Sequence, residues 1–492
     1  MTHPMYPFET KLSRLALGEK PRVLELCSGC GGLALGLQSA GFELSAHIEA
    51  DAAANETYAL NFAPNDEGGR SVWSKPRDMQ TQSLTNLLLD FKIPGSISGA
   101  FDVVAAGLPC QAFARIGRSK LRSVSGDQHA FKNDPRASLY RRFLEIVSEA
   151  KPLVILLENV PDILNFDRRN IPEEIAETLS TRGYRTTYTI LNSAFYGVPQ
   201  LRERLFLVAV HTSLGIMPTM PNCSHTMTLP SGYEGSRKVA LKYIEGARYF
   251  APIPIPGDSL RSSVSVQEAI ADLPFISEHF RDPIAMKRRK VSDQLPYRVS
   301  DSISEYAKLM RSWLSKASES TVDGNVVRIT PRDFPTFAKM PAGADYPVAV
   351  QVATNLFHEK LTSEKNCPKE GSERYNELWN ATVPPYDASK FPNKWWKMSP
   401  KLPSRTLTAH LGKDTYSHIH YDSRQKRMLS VREAARLQSF PDGFLFAGAM
   451  NVSFKQIGNA VPPLLSLAVA NSIRLSLDEA TALYRQSIKS VA

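Results

Sequence analysis

Phe101-Asp102-Val103-Val104-Ala105-Ala106-Gly107-Leu108-Pro109-Cys110-Gln111 is the stretch that decides how this chain is built. The run from Phe101 to Ala106 reads as a strand buried inside a parallel sheet, where both faces are covered and the usual polar alternation disappears. Pro109 has no N–H and a fixed backbone, so it ends the strand and presents the next side chain on a turn. That side chain is Cys110, at the end of the strand where parallel sheets place their ligands. A cysteine so placed is a candidate nucleophile. The same position also accommodates a small buried hydrophobe.

Outward from this strand the pattern repeats. From about Pro21 to Val210, short apolar runs alternate with longer mixed segments, the rhythm of β-α-β units. Val23 to Leu26, Ser45 to Glu49, Val154 to Leu157 and Arg204 to Val210 are the other expected strands, and Leu33–Ala40, Ala52–Leu60 and Ser138–Ala150 the expected helices. The reading is an α/β fold with a doubly wound, mostly parallel sheet whose loops carry the chemistry at one edge. After Val210 the rhythm breaks. The segment to about Pro400 is rich in proline and polar residues, with isolated helices expected at Val266–Leu273 and Ser304–Lys316, and it reads as an inserted, irregular domain. It contains the run Lys287-Arg288-Arg289-Lys290, either a solvated surface or a phosphate contact. Regular character returns at Ser430-Val431-Arg432-Glu433, which fits a capping box opening a helix to about Gln438, before Pro441.

Three constellations carry chemistry. Cys27-Ser28-Gly29-Cys30-Gly31-Gly32-Leu33 leaves the first strand and enters a helix, where glycines allow close backbone approach and free N–H groups face a ligand. About 20 residues on, Glu49 ends the second strand, the place of a carboxylate that accepts ribose hydroxyls. A nucleoside-bearing cofactor suits this pair, and a dinucleotide oxidoreductase is the alternative. The Cys27-x-x-Cys30 spacing lacks a second ligand pair, so no metal is expected. Leu157-Glu158-Asn159-Val160-Pro161 ends a neighbouring strand, so Glu158 is expected to meet Cys110 at the same edge. In Gln200-Leu201-Arg202-Glu203-Arg204, strand alternation is expected to set Gln200, Arg202 and Arg204 on one face, suited to holding an anion and a carboxylate.

The chain has 492 residues, enough for a large core. Its start does not read as a secretory signal and no stretch approaches a membrane span, so a cytoplasmic enzyme without a membrane partner is expected. The five cysteines, Cys27, Cys30, Cys110, Cys223 and Cys367, are too scattered for a disulfide framework. A net charge of +10 favours a polyanionic partner without identifying one.

These pieces, in this order, resemble the C5-cytosine DNA methyltransferase family. The resemblance covers the glycine loop, Glu49, Arg77-Asp78-Met79, Pro109-Cys110-Gln111, Glu158-Asn159-Val160 and Gln200 to Arg204. It resumes at Ser404-Arg405-Thr406-Leu407-Thr408 and Arg432 to Pro441, and closes at Gln456-Ile457-Gly458-Asn459-Ala460-Val461-Pro462. It implies a Rossmann-like methyltransferase domain over 1–273, a smaller target-recognition domain over 274–400, and a return to the catalytic domain over 401–492. S-adenosylmethionine is the implied cofactor, held by Cys27, Ser28, Gly29, Cys30, Gly31, Gly32, Glu49, Ala50, Asp78, Met79, Pro109, Asn459 and Ala460.

Cys110, Glu158, Arg202 and Arg204 are the implied catalytic residues, and cytosine flipped from double-stranded DNA is the implied substrate. The loop from Ala112 to Asn133, with Arg115, Arg118, Lys120 and Arg122, is the implied lid. Two positions depart from the family pattern: Cys27 where an aromatic residue is common, and Ala114 where a serine is. A monomer of the bacterial cytoplasm, near the nucleoid when bound to DNA and serving restriction-modification beside a separate cognate endonuclease, is the expectation. The rivals are an RNA cytosine-5 methyltransferase and a non-catalytic DNA-recognition protein.

Overall fold

The computed structural model describes residues 6–65, 68–109, 138–166, 168–299, 302–315 and 317–491. The chain forms two compact units: Met1–Gly197 with Arg202–Ser262 and Ala460–Ala492, and Val198–Leu201 with Ser263–Asn459.

The first unit is built on a six-stranded sheet. Its strands are β1 (Arg22–Leu26), β2 (Glu43–Ile48), β3 (Val103–Gly107), β4 (Val154–Asn159), β5 (Tyr184–Asn192) and β6 (Glu203–His211), in the order β2-β1-β3-β4-β6-β5. β2, β1, β3 and β4 are parallel; β6 runs antiparallel to both its neighbours. The expected doubly wound, mostly parallel sheet is therefore present. Leu24 and Leu26, Val104 and Ala106, and Ile155 and Leu157 share one core cluster with Phe143, Ile146, Val147 and Ala150 of the helix Ser138–Ala150, whose i, i+3, i+4, i+7 spacing makes one apolar stripe. The opposite pleat of β1 carries buried Glu25, which accepts a hydrogen bond from Tyr58 of the helix Ala52–Phe62 at 2.8 Å. Asp102, the one charge in the opening run, is fully buried. Its Oδ2 accepts from the Arg22 N–H at 2.7 Å and from Arg14.

Helix α1 (Gly32–Ser39) follows the glycine loop, and the 29-residue helix α2 (Pro463–Val491) packs on it, the Ser466 hydroxyl donating to Leu33 O at 2.7 Å. The second unit runs from Ser263 to Asn459, so residues 401–459 cluster with the irregular segment, and the return to the first unit starts at Ala460.

Among the described residues that second unit has only two-residue strands, Leu295–Pro296 paired with Thr321–Val322. It is less irregular than its composition suggests, since Tyr346–Ser363 is an 18-residue helix, capped by the Asp345 carboxylate. The expected helices at Val266 and Ser304 are present but shorter, Val266–Ile270 and Glu305–Ser312. The capping box at Ser430 opens the helix Val431–Leu437 as expected. Against the expectation of no membrane-length stretch, Met450–Ile488 is apolar and long enough by composition. However, 61% of its most apolar window is buried inside the fold, as in a core helix.

Candidate active site

In the first unit the chain leaves β1 for β2 on one side and returns to β3 on the other, so the strand order reverses between β1 and β3. That switch point opens a crevice at the C-terminal strand ends, and the glycine loop lies there. Cys27, at φ 51°, and Gly29, at φ 56°, both adopt the left-handed region. Glycine does so freely; a cysteine stores strain, a feature that clusters at functional sites. At Gly31 a Cβ would overlap the Phe62 ring, and at Gly32 the Val461 carbonyl, while Gly29 faces open space. The loop can thus press against its neighbours on one side and present backbone on the other.

Glu49 organises this end. Its carboxylate accepts from the Gly29 N–H and the Asp51 N–H, each at 2.8 Å. Burial nevertheless pushes its carboxyl above the usual range. Each oxygen keeps acceptor capacity for a further donor. Ala50 and Asp78 are exposed at the same strand end, Met79 is buried beneath them, and the charges of Glu49 and Asp78 act on the Cys27 thiol. Burial drives both the Cys27 and the Cys30 thiols well up. Ala460 lies against Gly32, whereas Asn459 is an exposed residue ending a helix of the second unit.

His47 is a feature that sequence reading missed. It stacks on Tyr58 at 4.0 Å, and its Nε2 faces the Trp73 carbonyl at 2.8 Å. A carbonyl only accepts, so Nε2 carries the proton and Nδ1 accepts from the Ser28 hydroxyl at 3.0 Å. Burial lowers the His47 pKa to about 3, which keeps the ring neutral and Ser28 fixed.

The adjacent strands supply the second half of the site. Gly107 of β3 is opposite Glu158 of β4 in the parallel register, and a Cβ at Gly107 would lie 3.8 Å from Glu158 Oε2. Because β6 is reversed, its N-terminal end reaches this C-terminal edge, and Arg204 Nε pairs with Glu158 Oε1 at 3.0 Å. Burial raises the Glu158 pKa, and Arg204 and then Arg202 pull it back; the net shift is upward. A carboxyl held in this balance holds its proton more readily than an ordinary surface one. Asn159, quoted in its motif but given no role, donates to Leu108 O at 3.3 Å and to Tyr140 Oη at 2.7 Å, anchoring the chain just before Pro109. Cys110 and the loop from Ala112 to Asn133, including Arg115, Arg118, Lys120 and Arg122, lie outside the described residues.

The expected shared face of Gln200, Arg202 and Arg204 does not form, because β6 begins only at Glu203. Gln200 belongs to the second unit, where its side chain accepts from the Leu407 N–H at 2.9 Å and donates to Leu437 O at 3.1 Å. Arg202 is fully buried and donates to Ala460 O at 3.0 Å. Arg204 is the ion-pair partner of Glu158, and the charge of Arg202 acts on the same carboxyl.

A glycine-rich loop, a strand-end carboxylate and an arginine-paired acid at one edge of a mostly parallel sheet define a methyltransferase-like α/β site. Comparison makes this particular. The sequence profile of the C-5 cytosine-specific DNA methylase family matches residues 21–265 and 306–475, and the chain belongs to that family. A protein of Oceanobacillus iheyensis bearing the type II methyltransferase name M.OihORF3336P is 37% identical over 93% of this chain and 96% of its own length. The type II methyltransferase M.AgeI of Thalassovita gelatinovora is 28% identical over 93% and 100%. The crystal structure of a prophage-encoded protein from E. coli, described as a DNA modification methyltransferase, superposes with a TM-score of 0.58 at 20% identity. That likeness covers 93% of this chain and 100% of the other, and it concerns the fold.

Proposed function

We propose that this protein is a DNA (cytosine-5-)-methyltransferase that modifies a cytosine flipped out of a specific duplex sequence, in the service of restriction-modification. The observation that carries the reading is the Glu158–Arg204 pair at 3.0 Å beside Gly107, three residues before Cys110.

The residues at the switch point fit S-adenosylmethionine. Gly29 offers open backbone, Glu49 has acceptor capacity for the ribose hydroxyls, and exposed Asp78 suits the adenine amino group. Bound there, the cofactor supplies an electrophilic methyl group. C5 of cytosine is too weak a nucleophile to take it unaided. The Cys110 thiolate adds to C6, forming an S–C6 bond, while Glu158 donates a proton to N3 as charge develops there; C5 becomes enamine-like. Arg204 holds the Glu158 carboxyl in register, and Arg202 fixes the start of β6 against Ala460. Once C5 is methylated, a base takes the C5 proton, that electron pair re-forms the C5–C6 double bond as the S–C6 bond breaks to return the thiolate, and the N3 proton goes back to Glu158.

Duplex specificity is assigned to the segment 274–400, which lies wholly in the second unit. Bisulfite sequencing of DNA from cells expressing the protein returns reaction and target together. Cys110→Ser should abolish modification and the covalent complex with 5-fluorocytosine DNA, while cofactor and DNA binding persist. Methylation by Cys110→Ser near the wild-type rate refutes the mechanism. Exchanging 274–400 for a relative's segment should change the methylated sequence; an active chimera with the original target refutes the specificity assignment.

A further inference from the structure

A cleft of about 910 Å³ lies in the second unit. One rim is Lys287, Arg288, Arg289 and Lys290; the facing wall contains Arg328 and Thr330, and Phe446 with Met450 supplies apolar surface. The rim is built by the helix Pro283–Arg288, whose Met286 is 4% exposed and turns the following cations outward. The bland account is a solvated basic turn at a helix C-terminus, where cations complement the dipole. Three observations favour a ligand.

First, the charges are not used internally. Lys287, Arg288 and Lys290 are exposed, and no ion pair joins any of them to a carboxylate among the described residues. The nearby acids are engaged: Glu278 pairs with Arg289 at 3.0 Å, Asp282 caps Ala285 N–H at 3.1 Å, and Asp293 accepts from the Lys290 N–H at 2.9 Å. Second, the opposite wall is built to be charged. Arg328 donates to Leu411 O at 2.8 Å, but its Nε and the Thr330 hydroxyl are buried without partners. A buried polar atom with no partner costs free energy unless something enters to satisfy it. Third, the helix Met450–Asn459 starts on the cleft at Ala449 and Met450, adding the positive end of its dipole to cations already present.

We infer that this cleft holds the phosphodiester backbone of duplex DNA, with Lys287, Arg288, Lys290 and Arg328 neutralising phosphates and the apolar wall lying against the sugars. The inference deepens, and rests on, the DNA-methyltransferase reading. Such contacts orient the duplex without reading its sequence.

The test uses the full chain carrying Lys287→Gln, Arg288→Gln and Lys290→Gln together. Arg289 is left in place because it pairs with Glu278. Binding of target and unrelated duplexes should weaken by one common factor, at least tenfold near 0.1 M salt. The slope of log K against log salt should become shallower by about 2 to 3, as three phosphate contacts at roughly 0.9 each require. KM for DNA should rise in parallel, with kcat at saturating DNA and the S-adenosylmethionine affinity unchanged. An unaltered salt slope overturns the inference, as does a loss confined to the target duplex, which means base reading. Inorganic phosphate binding that the triple variant loses while DNA binding stays intact also overturns it, assigning the cleft to a small free anion. If the wild-type protein shows the salt-dependent binding that the triple variant loses, yet never methylates DNA, the cleft stands and the catalytic reading falls.

Discussion

The two units bury their charges in opposite ways. In the first, carboxyl groups at the sheet edge sit in apolar surroundings with incomplete pairing. Burial pushes Glu25 up to about 8, and Glu49 and Glu158 are raised as well. In the second, buried carboxylates face buried guanidinium groups. The i, i+4 spacing sets Arg432 and Arg436 on one helix face, toward Asp323 and toward Asp272 and Asp442. Arg427 grips Glu433 through two 2.7 Å contacts that drive its carboxyl well down against the burial that raises it. The sheet of the first unit closes one large apolar cluster, which holds the fold and leaves strand-end acids available to a ligand. The second unit has small separate apolar clusters, such as Ile276, Met286 and Val327, and depends on its arginines to fix one arrangement.

Removing an arginine should therefore be the most damaging change. Arg436→Met takes the buried guanidinium from Asp442 and leaves Asp272 with Arg311 alone, and should cost about 3–5 kcal/mol. Segment-resolved hydrogen exchange should show the opening confined to residues 263–459. A cost below about 1 kcal/mol would mean that the network is ornamental and the contrast false.

In the first unit, Gly32→Ala forces a Cβ onto the Val461 carbonyl, backbone that cannot swing aside. The expected cost is about 1–3 kcal/mol for overpacking, with a tenfold or larger loss of cofactor affinity by calorimetry. Unchanged affinity would separate the glycine loop from the cofactor.

Acid sharpens the comparison because the signs differ. The unfolded chain ionises Glu25 near pH 4, whereas the fold keeps it protonated to about 8. The first unit should thus gain stability as pH falls from 8 toward 4, with Glu49 and Glu158 contributing in the same direction. Glu433 and Asp442 are depressed, so their contribution is present above pH 4 and lost as pH falls below it toward their folded values. Exchange protection, corrected for intrinsic rates, should rise in residues 21–210 between pH 8 and 5 and collapse first in 263–459 below pH 4. Parallel behaviour of both units would refute the assignment.

The smallest effect expected is Ser265→Ala. It removes a capping box in which Glu268 N–H donates to Ser265 Oγ at 3.3 Å, and should cost about 1 kcal/mol. Chemical denaturation of the second unit measures it, and a shift in the first unit instead would contradict the division.

What was legible in the residues was what local pattern determines. Short apolar runs marked β1, β3 and β4, glycines marked the loop, and the order of short motifs carried the family resemblance that the profile match confirms. The edge strand Tyr184–Asn192 escaped notice because Arg185 and its threonines interrupt the apolar run. Tertiary structure alone decided the direction of β6. An antiparallel strand has the same local pattern as a parallel one, yet only its reversal carries Arg204 to Glu158. It also decided that residues 401–459 fold with the second unit, because the partners of Arg432 and Arg436, Asp323 and Asp272, lie more than a hundred residues away in the chain. A motif records which groups are needed; the long-range pairing that brings them together is a property of the packed fold.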